Sequence, residues 1–263
     1  MRAAQTLSTP PGARALGFRV LSQVLWRSLF LQASWNPRGM QNLGLAYALF
    51  PALRRLYPEE SQLSQAVKRH LVFFNAHPYV AAAIVGGVLF HEERISRGEE
   101  RPERVVAFKA ALMGPLAALG DGFFWLSLKP AVGALCAALV PVLHAWAALL
   151  FMFLYNAVHF TLRARLFWTG LTEGDGLVDS LARSHYPARG ARLRAMAAAC
   201  AGGLAAWLAI DFGKNQGGAW APVLAGGALG VGGLSYWLVA RGVPSYAVLY
   251  CAALLAIAAG VFL

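Results

Sequence analysis

The chain has 263 residues, 58% of them hydrophobic and only 13% charged, with a mean hydropathy of +0.53. That balance excludes an ordinary water-soluble domain and makes a lipid bilayer the solvent. The net charge of +11 does not indicate nucleic-acid binding: Arg54, Arg55, Lys68 and Arg69, and likewise Arg189, Arg192 and Arg194, flank apolar segments, where the positive-inside rule puts basic residues.

The opening MRAAQTLSTPPGARA has no clean apolar core, and LGFRVLSQVLWRSLFLQAS after it is interrupted by Arg19 and Arg27. Neither a signal peptide nor a spanning helix fits, and an amphipathic helix on the membrane surface is expected. In SWNPRGMQ (34–41), Trp35, Asn36 and Gln41 are residue types that contact sugars through an aromatic face and amide hydrogen bonds. The residues alone favour a plainer reading, an interfacial Trp with Asn36 capping a helix before Pro37. QNLGLAYALFPALRRLY (41–57) is short and carries Pro51, so it reads as interfacial or re-entrant. In EESQLSQAVKRHLVFF, Leu63, Val67, Leu71 and Phe74 recur at helical spacing, which predicts another surface helix. Asn75 and His77 in FFNAHPY (73–79) read as caps.

PYVAAAIVGGVLFH (78–91) is too short for an untilted span, since about 20 apolar residues are needed. It ends in EERISRGEERPER (92–104), whose four arginines predict a cytoplasmic location. Ile95 stands where a zinc-protease helix would carry its second His, so Glu92 and Glu93 are expected to face solvent. LMGPLAALGDGFFW (112–125) then places Gly114, Pro115, Gly120 and Gly122 inside an otherwise membrane-spanning run. Proline removes a helix hydrogen bond, and glycine weakens the helix. Non-helical backbone at membrane depth survives only where protein or a watery cavity satisfies it, so the spacing predicts a broken segment lining a cavity. Asp121 inside it costs about 2.5 kcal/mol or more to insert, which marks a substrate or ion path. Alternatively it caps the half-helix beginning after Gly120, and the two readings are compatible.

Residues 130–162 contain no charge and are interrupted by Pro141, giving a short arm plus one full helix. His144 and His159 within them read as polar helix contacts. The Arg-rich stretch 163–194 reads as a surface connection, and apolar segments at about 195–210, 219–240 and 243–263 follow. Gly226 and Gly230 suit close helix packing. Cys136, Cys200 and Cys251 lie in apolar runs without metal spacing, so no disulfide framework or zinc site is indicated. Nothing indicates a metal, a cofactor or a catalytic constellation. The expectation is an all-α polytopic membrane protein with broken or re-entrant segments and N-terminal amphipathic surface helices. Its regions are 1–104, 105–162, 163–194 and 195–263. With 92–109 and 163–194 both cytoplasmic, the C-terminus falls outside.

Three stretches carry a resemblance: SWNPRGMQNLGLAYALFPALRRLYPEE (34–60), KRHLVFFNAHPYVAAAIVGGVLFHEE (68–93) and ALMGPLAALGDGFFWLSLKP (111–130). In order and spacing, over roughly the first 160 residues, the chain resembles the IID membrane component of the mannose/fructose/sorbose class of the bacterial phosphoenolpyruvate-dependent sugar phosphotransferase system. The resemblance implies a non-catalytic subunit of the bacterial cytoplasmic (inner) membrane, itself not phosphorylated. It would pair with a IIC subunit of similar fold and inverted topology, as a trimer of heterodimers in lipid, around a hexose-type sugar. A cytoplasmic IIB protein, charged by IIA, would phosphorylate that sugar. By matching position, Trp35, Asn36, Gln41, Asn75 and Asp121 fall near the transport site, and Glu92 and Glu93 in another matching segment; together they form the candidate substrate-binding set. Gly122 and Lys129 stand where the family often carries Pro or Ser and Arg, and Leu119 where it has a small residue. Such drift fits reduced transport or a different sugar. The rival readings are a regulatory membrane protein on the same scaffold and a proton-coupled carrier using Asp121.

Overall fold

The structure is a computed structural model that describes residues 16–215, 221–244 and 247–254. In chain order it contains α1 (Phe18–Arg27) with a 3-10 turn at Ser28–Phe30, α2 (Asn42–Leu56), α3 (Glu60–His70), α4 (Ala81–Ser96) and α5 (Pro102–Gly120). A π-helical stretch, Asp121–Leu128, leads into α6 (Lys129–Leu143). Then come α7 (Trp146–Glu173), a 3-10 turn at Gly174–Gly176, α8 (Leu177–Arg183), α9 (Tyr186–Asn215) and α10 (Ala221–Ala240). There is no sheet among the described residues, only isolated bridges pairing Met40 with Asn36 and with Phe74. Residues 1–15 and the end of the last apolar segment lie outside the described residues.

The N-terminal helices form a layer over α4. Helix α1 turns Leu21 and Val24 inward and leaves Phe18 and Trp26 exposed, the two-faced pattern its sequence predicts. Helix α3 buries Ala66 and rests Leu63 and Val67 on the core, but it ends at His70, so Leu71 stays exposed. Helix α2 is not broken at Pro51. Proline there cannot donate to the Tyr47 carbonyl one turn back; Arg27 of α1 reaches that carbonyl instead (3.4 Å), with its guanidinium over the Tyr47 ring.

Helix α4 is buried almost all round, from Ala81 to Leu89, between α2, α5 and α7. Its crossing with α7 is set by reciprocal glycines. A Cβ at Gly86 would lie 2.0 Å from the Phe167 carbonyl oxygen, and one at Gly170 would lie 2.0 Å from that of Ala83. Only hydrogen fits at either point. Gly87 similarly admits the Phe108 ring of α5.

Three helical stretches are long and apolar enough to cross a membrane: Pro102–Leu143, Trp146–Arg183 and Tyr186–Phe212. Their exposed large side chains, among them Val142, Trp146, Phe153 and Trp207, give them apolar outer surfaces. At 1.5 Å per residue, the first stretch, of 42 residues, is about twice the roughly 30 Å hydrocarbon thickness. Its α5 portion packs against α4.

The break predicted over 112–125 is not an interruption. The helix runs through Gly114, Pro115 and Gly120 and widens to π geometry from Asp121 to Leu128. Pro130 gives a physical reason: in an α-helix its ring would press on the Leu126 carbonyl and offer it no N–H, and a wider turn just ahead relieves that contact. Ser127 stabilises the wide turn by donating its hydroxyl to the Gly122 carbonyl five residues back (2.7 Å), and Arg194 of α9 donates to the same hydroxyl (2.8 Å). The interruption expected at Pro141 falls at His144, whose φ of 49° ends α6 and starts the reversal into α7. Within 163–194, only the 3-10 turn, α8 and residues 184–185 separate α7 from α9. Among the described residues, a Cβ at Gly226 or Gly230 would meet nothing within 4 Å, so the packing expected of them is not made by those residues.

Candidate functional site

Four of the seven sequence-predicted residues come together where the loop before α2 meets the loop after α3. The chain turns on itself at residues 36–40: Asn36 and Met40 exchange backbone hydrogen bonds (3.1 and 2.8 Å), and Asn36 Oδ1 accepts from the Gly39 N–H (2.8 Å). Met40 holds a positive φ of 56°, an uncommon state for a residue with a side chain and one that local bonding must enforce. The Gln41 N–H then donates to the Phe74 carbonyl (2.9 Å). Its buried side chain clasps Ala76, donating to the carbonyl (2.8 Å) and accepting from the N–H (3.2 Å). Asn36 Nδ2 donates to Asn42 Oδ1 (2.9 Å). The amides of Asn36 and Gln41 are thus committed to holding the two loops. Trp35 is exposed and Asn75 half-buried, with the Asn75 backbone N–H directed at Met113 Sδ of α5. Among the described residues, the Asn75 side chain makes no hydrogen bond.

Behind the second loop lies a buried polar cluster that the sequence reading did not anticipate. Glu92, expected at the solvent face, is fully buried, and Glu93 is 7% exposed. Arg69 donates to both Glu92 carboxylate oxygens (2.7 Å each), Tyr57 Oη donates at 2.7 Å, and His70 Nε2 lies 2.8 Å from Oε1. Lys109 of α5 donates to the Arg69 carbonyl (2.7 Å) and reaches His70 Nδ1 at 3.2 Å. Because an ammonium can only donate, Nδ1 must accept, which assigns the Nε2–H tautomer to a neutral His70. The electrostatics agree. Burial, aided by the Lys109 charge, pushes His70 down to about 4 despite the pull of Glu92. Burial alone would raise the Glu92 carboxyl, but hydrogen bonds from Arg69 and His70 prevail and hold it at about 2. Burial and the adjoining Glu92 push the Tyr57 phenol up. Glu93 instead accepts from the Leu16 N–H (3.0 Å), anchoring the start of the N-terminal layer. The solvent-facing expectation fails because each carboxylate meets donors distant in sequence: Tyr57, Arg69 and His70 for Glu92, and Leu16 for Glu93.

Asp121 stands apart from both groups. It is exposed at the start of the π stretch and does not cap a half-helix, because the helix continues through it. It is not in the wall of the hollow beside the π stretch. Its neighbours Gly122 and Phe123 are, facing Tyr186, Pro187 and Arg194 across a space of about 180 Å³. A Cβ at Gly122 would meet nothing within 4 Å, so the glycine at this family-variant position is not imposed by packing. Loop and π stretch are nonetheless neighbours: Gly120 admits the His77 side chain so closely that a Cβ would lie 2.3 Å from it, and His77 stacks on Phe124 (5.3 Å).

Arg163, read from the sequence as the edge of a surface connection, is buried inside α7. It donates to the carbonyls of Ser28 (2.8 Å) and Pro78 (2.7 Å) and to the Ser28 hydroxyl (2.8 Å), tying α7 to the N-terminal layer and the second loop. Its separation by 135 residues from Ser28 explains why sequence inspection missed it.

A family model described as "PTS system mannose/fructose/sorbose family IID component" matches residues 16–214. The chain is 39% identical over 160 residues to the mannose-specific EIID component of the phosphotransferase system of Escherichia coli K12, an alignment covering 60% of this chain and 56% of that protein. It is 37% identical over 155 residues to the sorbose-specific EIID component of Klebsiella pneumoniae, covering 59% and 55%. The chain therefore spans a little over half the length of these relatives. It also superposes, with a TM-score of 0.59 and 27% identity, on a chain from the cryo-EM structure of the mannose transporter ManYZ and microcin E492 (MceA) complex, covering 94% of this chain and 97% of that one.

Proposed function

Because the chain belongs to the mannose/fructose/sorbose family of phosphotransferase-system IID components, we propose that it forms, with a IIC subunit, the sugar translocation path of a bacterial inner-membrane permease. Uptake is coupled to phosphorylation of the sugar by a cytoplasmic IIB protein. The observation that carries this reading is the family match across residues 16–214, which includes both loops and the π stretch. The mannose transporter structure supports assembly with a second membrane subunit, and the three long apolar stretches support a multi-pass position in the membrane.

Within this role the candidate residues divide by what their polar groups are free to do. Asn36 and Gln41 shape the paired loops. Glu92 and Glu93 anchor the helices beneath, away from the sugar. Trp35, Asn75 and Asp121 keep an aromatic face, an amide and a carboxylate for the sugar or the IIC subunit. A carboxylate exposed on a membrane helix is costly against lipid, so Asp121 is assigned to the face that meets IIC and the sugar path. The π geometry that displays it is a common mark of functional helices. The sugar itself is a hexose-type substrate, its identity set jointly by both subunits. The test is phosphoenolpyruvate-dependent uptake by cells supplying IIA, IIB and IIC: Asp121→Asn should abolish uptake while the protein still inserts and melts like the native chain. Undiminished uptake by that variant would remove Asp121 from the path, and uptake that ignores phosphoenolpyruvate but collapses with the proton gradient would replace the permease reading with a proton-coupled carrier.

A further inference from the structure

At the junction of α7, α8 and α9 lies a hollow of about 310 Å³ whose wall includes Arg165, Thr169, Arg183, Ser184 and Arg189. Glu173 also lines it, but this carboxylate accepts from the Ser180 hydroxyl, to which Arg183 also donates (3.3 Å). Among the described residues, neither Arg165 nor Arg189 has a carboxylate within ion-pairing distance. The Arg189 guanidinium lies over the Tyr186 ring (5.9 Å), which stiffens it without neutralising it. Three arginines thus line the hollow with one carboxylate, a net positive wall that favours an anion with several acceptor oxygens.

The surroundings of this hollow say more about the ligand. Leu181 also borders an apolar hollow of about 240 Å³ against α5, walled by Leu112, Pro115, Leu119 and Pro187. Tyr186 also borders the 180 Å³ hollow beside the π stretch, which shares Leu119 and Pro187 with the apolar one. A charged hollow therefore adjoins two largely apolar ones, across Leu181 on one side and Tyr186 on the other. A free phosphate would use only the first part. A molecule with a phosphate head and hydrocarbon tails uses all of it, and basic pockets between membrane helices hold such headgroups.

We propose that this composite hollow binds one anionic phospholipid, its phosphate among Arg165, Arg183 and Arg189 and an acyl chain lying past Leu119 and Pro187. The assignment stands on local geometry and does not depend on sugar transport. The test is native mass spectrometry of the full chain in detergent, titrated with phosphatidylglycerol or phosphatidylethanolamine. Phosphatidylglycerol should be retained preferentially. Arg165→Gln with Arg189→Gln should weaken that retention roughly 30-fold, as expected for two basic side chains at an anionic headgroup. Arg165→Lys with Arg189→Lys, which keeps the charge and guards against misfolding, should lose far less. Leu119→Trp, which fills the apolar part and leaves every arginine in place, should also lower retention. Glycerol 3-phosphate, a head without tails, should not compete at equal concentration. Equal retention of both lipids, an unaffected glutamine variant or an unaffected Leu119→Trp variant would overturn the proposal. Full competition by glycerol 3-phosphate would make this a free-anion site, and a partner subunit found to fill the hollow in an assembled complex would make it a protein interface.

Discussion

Replacing Glu92 by Gln tests whether the buried cluster is the clamp that holds α2, α3, α4 and α5 together. The variant keeps the side-chain shape but removes the charge that Arg69, Tyr57 and His70 all address. Breaking one partner out of a buried ion pair costs about 3–5 kcal/mol, because the other charge is left uncompensated. The acid–base argument gives a similar size: a carboxyl held at about 2 rather than 4.5 contributes about 3 kcal/mol at neutral pH. For a chain of this size, that lowers the apparent melting temperature by roughly 6–12 °C, read from tryptophan fluorescence in detergent. The sign with pH is also fixed. Glu92 has a lower pKa folded than unfolded, so its contribution is complete above about 4.5 and is lost as pH falls toward about 2. His70, held neutral down to about 4 rather than 6.5, is protonated first in the unfolded chain, so it withdraws stability as pH falls from about 6.5 to 4. The native protein should therefore weaken below about pH 6.5, with Glu92 adding its own loss below about 4.5. Glu92→Gln should lack that second limb. A variant melting within about 2 °C of native, with an unchanged acid profile, would refute the clamp.

Gly86→Ala and Gly170→Ala should each destabilise by about 1–3 kcal/mol or prevent folding, because the added methyl meets a backbone carbonyl at 2.0 Å. Gly114→Ala, with open space around its Cβ, should be neutral or stabilising by up to about 1 kcal/mol. Melting temperatures of the three, side by side, check this. Gln41→Ala should cost about 2 kcal/mol by stranding the buried Ala76 N–H and carbonyl, and the same variant should lower sugar uptake per folded molecule. Arg163→Met should loosen α7 from Ser28 and Pro78, detected as faster proteolysis of the N-terminal layer.

Legibility in the sequence followed the range of the interactions involved. Composition placed the chain in a bilayer, the lengths of its apolar runs made it helical, and local periodicity gave the surface helices α1 and α3, because run length and period live within neighbouring residues. The turn at Asn36–Gln41 was visible as a motif, but its amides proved committed to backbone groups that include Ala76, 35 residues away. Glu92 was misplaced for the same reason: its donors come from Tyr57, Arg69 and His70, and nothing near HEER announces them. The Gly-Pro pattern at 112–125 suggested a break because helix propensities favour one. Packing against α4 and α9 overrode them, and the stress went into a π stretch.

The proposal to test is that this chain supplies, with IIC, a phosphoenolpyruvate-driven sugar path. It is tested most directly by reconstituting the chain with IIC in vesicles, adding IIA and IIB, and following labelled hexoses. The account predicts that phosphorylated sugar accumulates only when phosphoenolpyruvate and both membrane subunits are present, and that accumulation is lost with Asp121→Asn. Equal accumulation with this chain omitted would contradict it.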